Sequence, residues 1–218
     1  MRVDYKKLIT EYIHEQNYEA IVKAGRENNA RALRYVQMNI WGDYRNVQRW
    51  HAISALEKLA AEYADANEEI YRNVIRRAVW AMADESGNVP WAAPEMMAAV
   101  IKACPQHYRE FVKIMITNGL DSPMCHLGVL WSVGYLGSDY LSEIEPFMSR
   151  IMKFLDHEDG ELRGTAVWAL KHLQYEPAFA KIDSMADDTA EVWIYEDGAL
   201  QQKTISQIAD ARKQEICA

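Results

Sequence analysis

The chain has 218 residues, of which 50% are hydrophobic and 26% are charged, so it is long enough to bury one core or one short array of repeats. Its formal net charge of −8 disfavours nucleic acid as a partner, because phosphate backbones repel an acidic protein. No apolar run is long enough to cross a bilayer, and Cys104, Cys125 and Cys217 form neither a disulfide framework nor a Cys-x-x-Cys motif. We therefore expect a cytoplasmic protein without a membrane segment, a bound metal or a cofactor.

Apolar residues recur at three- and four-residue steps along most of the chain, with short breaks between the periodic segments, and this pattern predicts a series of helices. The predicted helices cover residues 5–14, 19–26, 30–40, 45–63, 69–83, 94–103, 106–118, 124–136, 141–155 and 161–173. Pro94 and Pro105 suit the first turns of two helices, and Asn118-Gly119 is typical of a helix end.

The C-terminal region has a different pattern. Apolar residues at 192–195 and a second short segment at 199–205 flank Asp197-Gly198, a dipeptide that favours a tight turn between antiparallel strands. The pattern allows a small β-hairpin near 192–205, and a helix broken at Gly198 is the alternative. Thr204-x-x-Gln207 fits a capping box before a last short helix that ends near Lys213.

Four of the predicted helices share a phrase with small residues at three-residue steps. The copies are Gln48-Arg49-x-x-Ala52-x-x-Ala55-Leu56, Val74-x-x-x-Ala78-x-x-Ala81-Met82, Cys125-His126-x-x-Val129-x-x-Ser132-Val133 and Leu162-Arg163-x-x-Ala166-x-x-Ala169-Leu170. Small residues at these steps let neighbouring helices approach closely. The arginine near the helix start can meet a carboxylate of the preceding turn, such as Asp156 or Asp159 before Arg163. Self-similarity of this kind is typical of stacked helical units.

The last copy, with the Asp-rich turn Asp156-His157-Glu158-Asp159-Gly160 before it, resembles a HEAT-like repeat of the phycobilin-lyase type. The resemblance is closest over residues 156–173, weaker over 44–60 and 71–83, and weakest over 121–137. The segment from Val79 to Glu95 also resembles a branch of bacterial HEAT-like proteins. These resemblances imply an all-α fold, a short right-handed α-α superhelix of the HEAT/armadillo-like solenoid kind, with residues 1–218 in a single domain. They imply no particular reaction.

Trp80, Trp131 and Trp168 stand at the same position of three repeat copies. If the helix faces are in phase, the indoles form a stripe that suits a concave binding groove. The alternative is that they are core residues sealing adjacent layers.

The loop from residue 84 to 91 is polar and longer than its neighbours, and loops of this kind on a rigid scaffold often carry function. Arginines near the helix starts suit either an anionic ligand or structural ion pairs. The candidate binding residues, besides the three tryptophans, are Arg76, Asp84, Glu85, Ser86, Trp91 and Glu95. The alternative assigns Ser86 to helix termination and Glu95 to helix initiation.

No catalytic motif of the phosphate-loop, dinucleotide, His-Glu-x-x-His or serine-elbow type is present. The sequence therefore favours a non-catalytic binding or scaffold protein that holds a protein partner or a small ligand on the concave face of its solenoid. One alternative is a DNA-alkylation glycosylase on a HEAT-like scaffold, which would use Trp80 and Asp84 with Trp168 as a second aromatic wall. Another is a bilin-lyase-like chaperone of a chromophore.

Overall fold

A computed structural model describes residues 4–83 and 92–210. Over these residues the protein is mostly helical and has one two-stranded antiparallel sheet, which confirms the helical class and the hairpin. Packing divides the chain into two compact units, Met1–Met115 and Ile116–Ala218. No helix in the described ranges combines the length and the apolar character that a membrane span requires.

The N-terminal unit is helical. The sequence predicts both ends of each of its first six helices to within three residues. In chain order the helices are α1 (Tyr5–His14), α2 (Tyr18–Glu27), α3 (Asn29–Gln37), α4 (Val47–Tyr63), α5 (Glu68–Met82), α6 (Ala93–Ala103) and α7 (Pro105–Tyr108). A 3₁₀ turn, Arg109–Phe111, leads into α8 (Val112–Asp121), which contains the boundary between the units.

Side-chain caps define where the first four helices begin. An Asp or Asn side chain precedes each helix and accepts a hydrogen bond from a backbone amide of its first turn, which satisfies a donor that the helix itself leaves open. The capping residues are Asp4, Asn17, Asn28 and Asn46.

The core of this unit lies around α4, which packs against α3 and α6, while α5 packs against α6. Buried or half-buried tyrosines donate hydrogen bonds from their hydroxyls to backbone carbonyls of neighbouring helices, so each joins two elements. These bonds run from Tyr71 Oη to Leu59 O at 3.0 Å, from Tyr63 Oη to Val22 O at 2.7 Å and from Tyr108 Oη to Glu68 O at 2.8 Å.

The C-terminal unit contains shorter elements than expected. They are α9 (His126–Leu136), α10 (Leu141–Ile144), α11 (Met148–Ile151), α12 (Gly160–His172), α13 (Phe179–Asp183), β1 (Glu191–Glu196), β2 (Ala199–Thr204) and α14 (Ile205–Asp210). The single helix predicted over 141–155 is wrong, because 3₁₀ turns at Glu145–Phe147 and Met152–Asp156 interrupt it. Pro146 lies in the first of these turns, where it cannot donate a helical hydrogen bond.

The predicted helix end at Asn118-Gly119 is also wrong, because α8 continues to Asp121. Gly119 permits a close helix contact instead of a helix end: a Cβ atom there would lie 2.8 Å from Val129 Cβ. Within the C-terminal unit, α12 packs against α9 on one side and against β1 and α14 on others.

The hairpin and the capping box take the predicted geometry. Asp197 and Gly198 have φ values of 51° and 79°, which suit a two-residue turn between twisted strands, and Glu196 pairs with Ala199. Gln207 N donates to Thr204 Oγ1 at 3.2 Å, and Thr204 N donates to Gln207 Oε1 at 2.8 Å. This reciprocal pair starts α14 directly after β2.

Candidate functional site

One face of α5 is exposed and carries Asn73, Arg76, Arg77 and Trp80, which we name the α5 surface. These positions are three, four and seven residues apart and therefore lie on one side of the helix. The opposite side packs into the core through apolar residues such as Val74 and Ala78. Trp80 is 76% exposed and is the most exposed large apolar side chain of the described residues.

The two guanidinium groups beside Trp80 differ in their surroundings. Arg76 Nη1 binds Glu69 Oε1 at 2.5 Å and lies 3.3 Å from Asn73 Oδ1. Arg77 forms no hydrogen bond or ion pair within the described part of the chain. The α5 surface therefore places an exposed indole next to a cation that no acid of the described chain neutralises.

Trp131 and Trp168 occupy a different environment from Trp80. They are 1% and 6% exposed, and their rings stack with centroids 6.3 Å apart and an interplanar angle of 8°. Trp131 Nε1 donates to Tyr195 O at 2.9 Å, and Trp168 Nε1 donates to Glu196 Oε1 at 3.0 Å. Trp131 and Trp168 are therefore core residues, as the alternative prediction had it, and they hold β1 against α9 and α12. Trp80, in contrast, faces solvent.

A cleft of about 650 Å³ lies beside Trp168, between α12, the hairpin and α14. Glu196 is its central polar group: Lys203 Nζ lies 2.8 Å from Glu196 Oε2 and His172 Nε2 lies 3.0 Å from Glu196 Oε1. Burial raises the pKa of Glu196, but the hydrogen bonds from Lys203 and Trp168 outweigh burial and hold this pKa below its usual value.

Lys171, which also lines this cleft, binds the C-terminal end of α14. Its Nζ donates to Ile208 O at 2.6 Å and to Ala209 O at 3.2 Å. The charged groups of the cleft thus bind neighbouring protein groups and hold the hairpin and α14 to α12.

Glu95 lies in the first turn of α6 and is fully buried, although it was expected to contact a partner. Arg49 of α4 is its ion-pair partner, and Arg49 Nη1 also donates to Gly42 O at 3.3 Å. Burial raises the pKa of Glu95, and the nearby Arg49 opposes this shift. Because α6 packs closely on α4, the carboxylate joins two helices and does not reach the surface.

The remaining predicted site residues, Asp84, Glu85, Ser86 and Trp91, lie outside the described residues. Arg76 and Trp80 are therefore the predicted residues that the structure brings together at a surface.

The fold brings together a group that can hold a metal ion and that was not predicted from the sequence. Asp65, Cys104 and His107 place one ligand atom each within 4.8 Å of one another, and they form the single group of this kind among the described residues. The pattern Cys104-x-x-His107 was present in the sequence, but a search for paired cysteines does not find it.

Comparison of the chain with protein-family models, with curated proteins and with solved structures gives no match.

Proposed function

We propose that this chain is a non-catalytic binding protein that recognises an acidic segment of a protein partner through the α5 surface. The observation that supports this proposal most strongly is the exposure of Trp80, because the tryptophans at the equivalent positions, Trp131 and Trp168, are buried. Packing of α5 does not use the indole of Trp80, whereas a partner that covered it would remove a large apolar area from water.

The chemistry of the α5 surface favours an acidic partner. Tryptophan and arginine are the residue types most enriched among the side chains that dominate protein interfaces. Arg77 offers a guanidinium group whose planar fork matches a carboxylate, whereas Arg76 beside it already pairs with Glu69. An aspartate or glutamate of the partner would pair with Arg77 while an apolar neighbour covers Trp80.

We further propose that the phrase-bearing helices are copies of one HEAT-like repeat in a solenoid. Arg49 and Arg163 support this kinship because they stand at the same position of the phrase and make the same kinds of contact. Arg49 Nη1 donates to Gly42 O and Arg163 Nη1 donates to His157 O at 2.6 Å, both in the segment before the helix.

The ion pairs of these two arginines extend the parallel. Arg49 pairs with Glu95 and Arg163 pairs with Asp188, so each arginine joins its helix to a carboxylate that follows later in the chain. We expected Asp156 or Asp159 to pair with Arg163. This prediction is wrong, because the turn that contains them binds Arg163 through its backbone carbonyls.

The alternatives have less support in the described residues. A glycosylase would need Trp168 as an aromatic wall, but Trp168 is buried, its ring stacks on Trp131, and the centroid of the His172 ring is 4.3 Å from that of Trp168. A chromophore or small ligand in the cleft would have to compete with the bonds that Glu196 already accepts. Cys104 and Cys125 are buried as reduced thiols, which fits the proposed cytoplasmic location.

The test begins with a photo-reactive benzoylphenylalanine in place of Trp80, introduced in the source cells. The same group in place of Met124, an exposed apolar residue of the C-terminal unit, is the control. We expect a protein that cross-links at position 80 and not at position 124. Equal cross-linking at both positions, or none at position 80, contradicts the proposal.

The partner so identified is then purified and titrated. Trp80→Ala should weaken its affinity about 30-fold, which corresponds to the roughly 2 kcal/mol of a dominant interface residue, and Arg77→Glu should weaken it further at low salt. Met124→Ala should leave the affinity unchanged. Wild-type affinity in Trp80→Ala would refute the proposal, as would retention on DNA that depends on Trp80.

A further inference from the structure

Two connections of the N-terminal unit bring ligand-type side chains together at one end of α5. Asp65 lies in the turn between α4 and α5, and Glu68 is the first residue of α5. Cys104 separates α6 from α7, and His107 lies in α7. The hydrogen bond from Tyr108 Oη to Glu68 O, 2.8 Å long, fixes α7 against the start of α5.

We propose that Asp65, Cys104 and His107 bind a Zn²⁺ ion. Their ligand atoms lie within 4.8 Å of one another, and tetrahedral zinc with its usual bond lengths requires separations of about 3.4 to 3.6 Å. Cys104 is buried, whereas Asp65 is exposed and its side chain has space to move. Asp65 Oδ1 lies 2.8 Å from His107 Nε2, so these two atoms must separate by about 0.6 Å to bind one ion. A thiolate, an imidazole and one carboxylate form a donor set that suits zinc better than magnesium or calcium.

Glu68 stands where a supporting carboxylate is needed. His107 Nε2 lies 2.8 Å from Asp65 Oδ1 and so faces the proposed metal position, while His107 Nδ1 faces Glu68 Oε2 at 3.5 Å. A metal-bound histidine usually donates its second N–H to a carboxylate, which fixes the orientation of the ring. Arg72 Nη2 donates to Glu68 Oε1 at 2.6 Å and holds this carboxylate in place.

The charges around Cys104 favour a divalent cation. The carboxylates of Asp65 and Glu68 place negative charge close to the buried Cys104 thiol. The same negative charges attract a cation, which replaces the thiol proton when a sulfur–metal bond forms. Binding therefore breaks the S–H bond and releases one proton to the buffer. The Gln106 side chain, which interacts with Asp65 and Cys104, gives way to the ion.

The test uses the full-length protein without an affinity tag, reduced and freed of metal by a chelator. Titration with Co²⁺ should produce the ultraviolet charge-transfer band of a cobalt–thiolate bond, and dialysis against Zn²⁺ should leave about one ion per chain. The thermal midpoint of unfolding should rise with added Zn²⁺. Absence of both the band and retained zinc in the folded wild-type protein overturns the proposal.

Variants identify the ligands. Cys104→Ser should remove the cobalt–thiolate band, and His107→Ala should remove zinc retention, with the helical circular dichroism signal showing that each variant is folded. Cys125→Ser and Cys217→Ser are the matched controls and should keep the band. If His107→Ala binds zinc as tightly as the wild-type protein does, the assignment of the ligands is wrong. If Cys104→Ser does not fold, the result for His107→Ala decides the assignment.

Glu68→Gln tests the supporting carboxylate separately. It should weaken zinc affinity about 10- to 100-fold and leave the number of bound ions unchanged, because Glu68 orients a ligand and is not one. Glu110→Gln is the control, since Glu110 Oε1 also binds Arg72, at 2.8 Å from Nη1. Equal losses in both variants would show a general effect of charge and overturn the role given to Glu68.

Discussion

Arg49 and Glu95 form an ion pair that is almost completely removed from water, with exposed fractions of 1% and 0%. The guanidinium group also lies 5.5 Å from the centre of the Trp50 ring and 5.6 Å from that of Tyr44. Removing a charged group from water costs free energy, and the attraction to an opposite charge offsets this cost. Arg49 and Glu95 therefore each depend on the other. This mutual dependence leads to a prediction about stability.

Glu95→Ala should lower the free energy of unfolding by about 3 to 5 kcal/mol, because it leaves the Arg49 charge buried without its carboxylate. The double variant Arg49→Met with Glu95→Leu should recover most of this loss, since neither charge remains. Urea denaturation measures both. The control is Asp121→Ala, which breaks the exposed Arg150–Asp121 pair and should cost less than about 1 kcal/mol. Equal losses in Glu95→Ala and the double variant would contradict the argument.

Trp168 and Trp80 offer a matched pair of substitutions, since they stand at the same position of the shared sequence phrase and one is buried while the other is exposed. Trp168→Ala should cost about 3 to 5 kcal/mol, because it leaves a cavity beside Trp131 and removes the hydrogen bond to Glu196. Trp80→Ala should stay within about 0.5 kcal/mol of the wild-type stability, because the Trp80 side chain is 76% exposed. Thermal or urea unfolding of the two variants checks the prediction; similar losses in both would refute it.

The elements of this fold could be predicted where local signals agree. The first four helices combine apolar periodicity with Asp or Asn caps, and Pro94 lies in the first turn of the sixth. The hairpin combines a strand pattern with the Asp197-Gly198 turn. Helix ends inside apolar segments could not be predicted. Gly119 has the sequence signal of a stop, yet Val129 packs so closely on it that the glycine serves a helix contact.

The candidate site was less predictable because it depends on which way a helix face points. Trp80, Trp131 and Trp168 are equivalent in the sequence, and only packing distinguishes the exposed indole from the buried ones. Glu95 has the position of a helix-initiating acid, but its burial follows from contact between α6 and α4, which no local pattern encodes. Asp65 and His107 are likewise distant in the chain and meet through folding.

Gly134 permits the close contact between α9 and α12. A Cβ atom at this position would lie 2.4 Å from Trp168 Cζ3 and 2.8 Å from the Cα atom of Ala169. Gly134→Ala should therefore destabilise the protein by about 1 to 3 kcal/mol, although alanine favours helices more than glycine does. Urea denaturation measures the loss. Ser184→Ala, at an exposed position after α13, is the control and should have little effect; a stabilised Gly134→Ala would contradict the packing argument.

Asp188 should make the stability of the protein depend on pH in the acid range. Arg163 Nε lies 2.8 Å from Asp188 Oδ2, and the hydrogen bond from Arg163 holds the pKa of this carboxyl below its usual value. An acid whose pKa is lower in the folded than in the unfolded state stabilises the fold above its unfolded pKa of about 3.9. This contribution is lost as the pH falls from that value through the folded pKa.

We therefore expect Asp188→Asn to lower the free energy of unfolding at neutral pH by about 1 to 2 kcal/mol, the range for a charge-assisted pair that is partly exposed. The difference between wild type and variant should shrink as the pH falls below 4 and vanish where Asp188 is protonated in both states. Urea unfolding at a series of pH values measures this difference. Asp183→Asn, an exposed acid of α13, is the control and should show a smaller change over the same range. A difference that stays constant down to the acid limit would mean that Asp188 acts through packing and not through its charge.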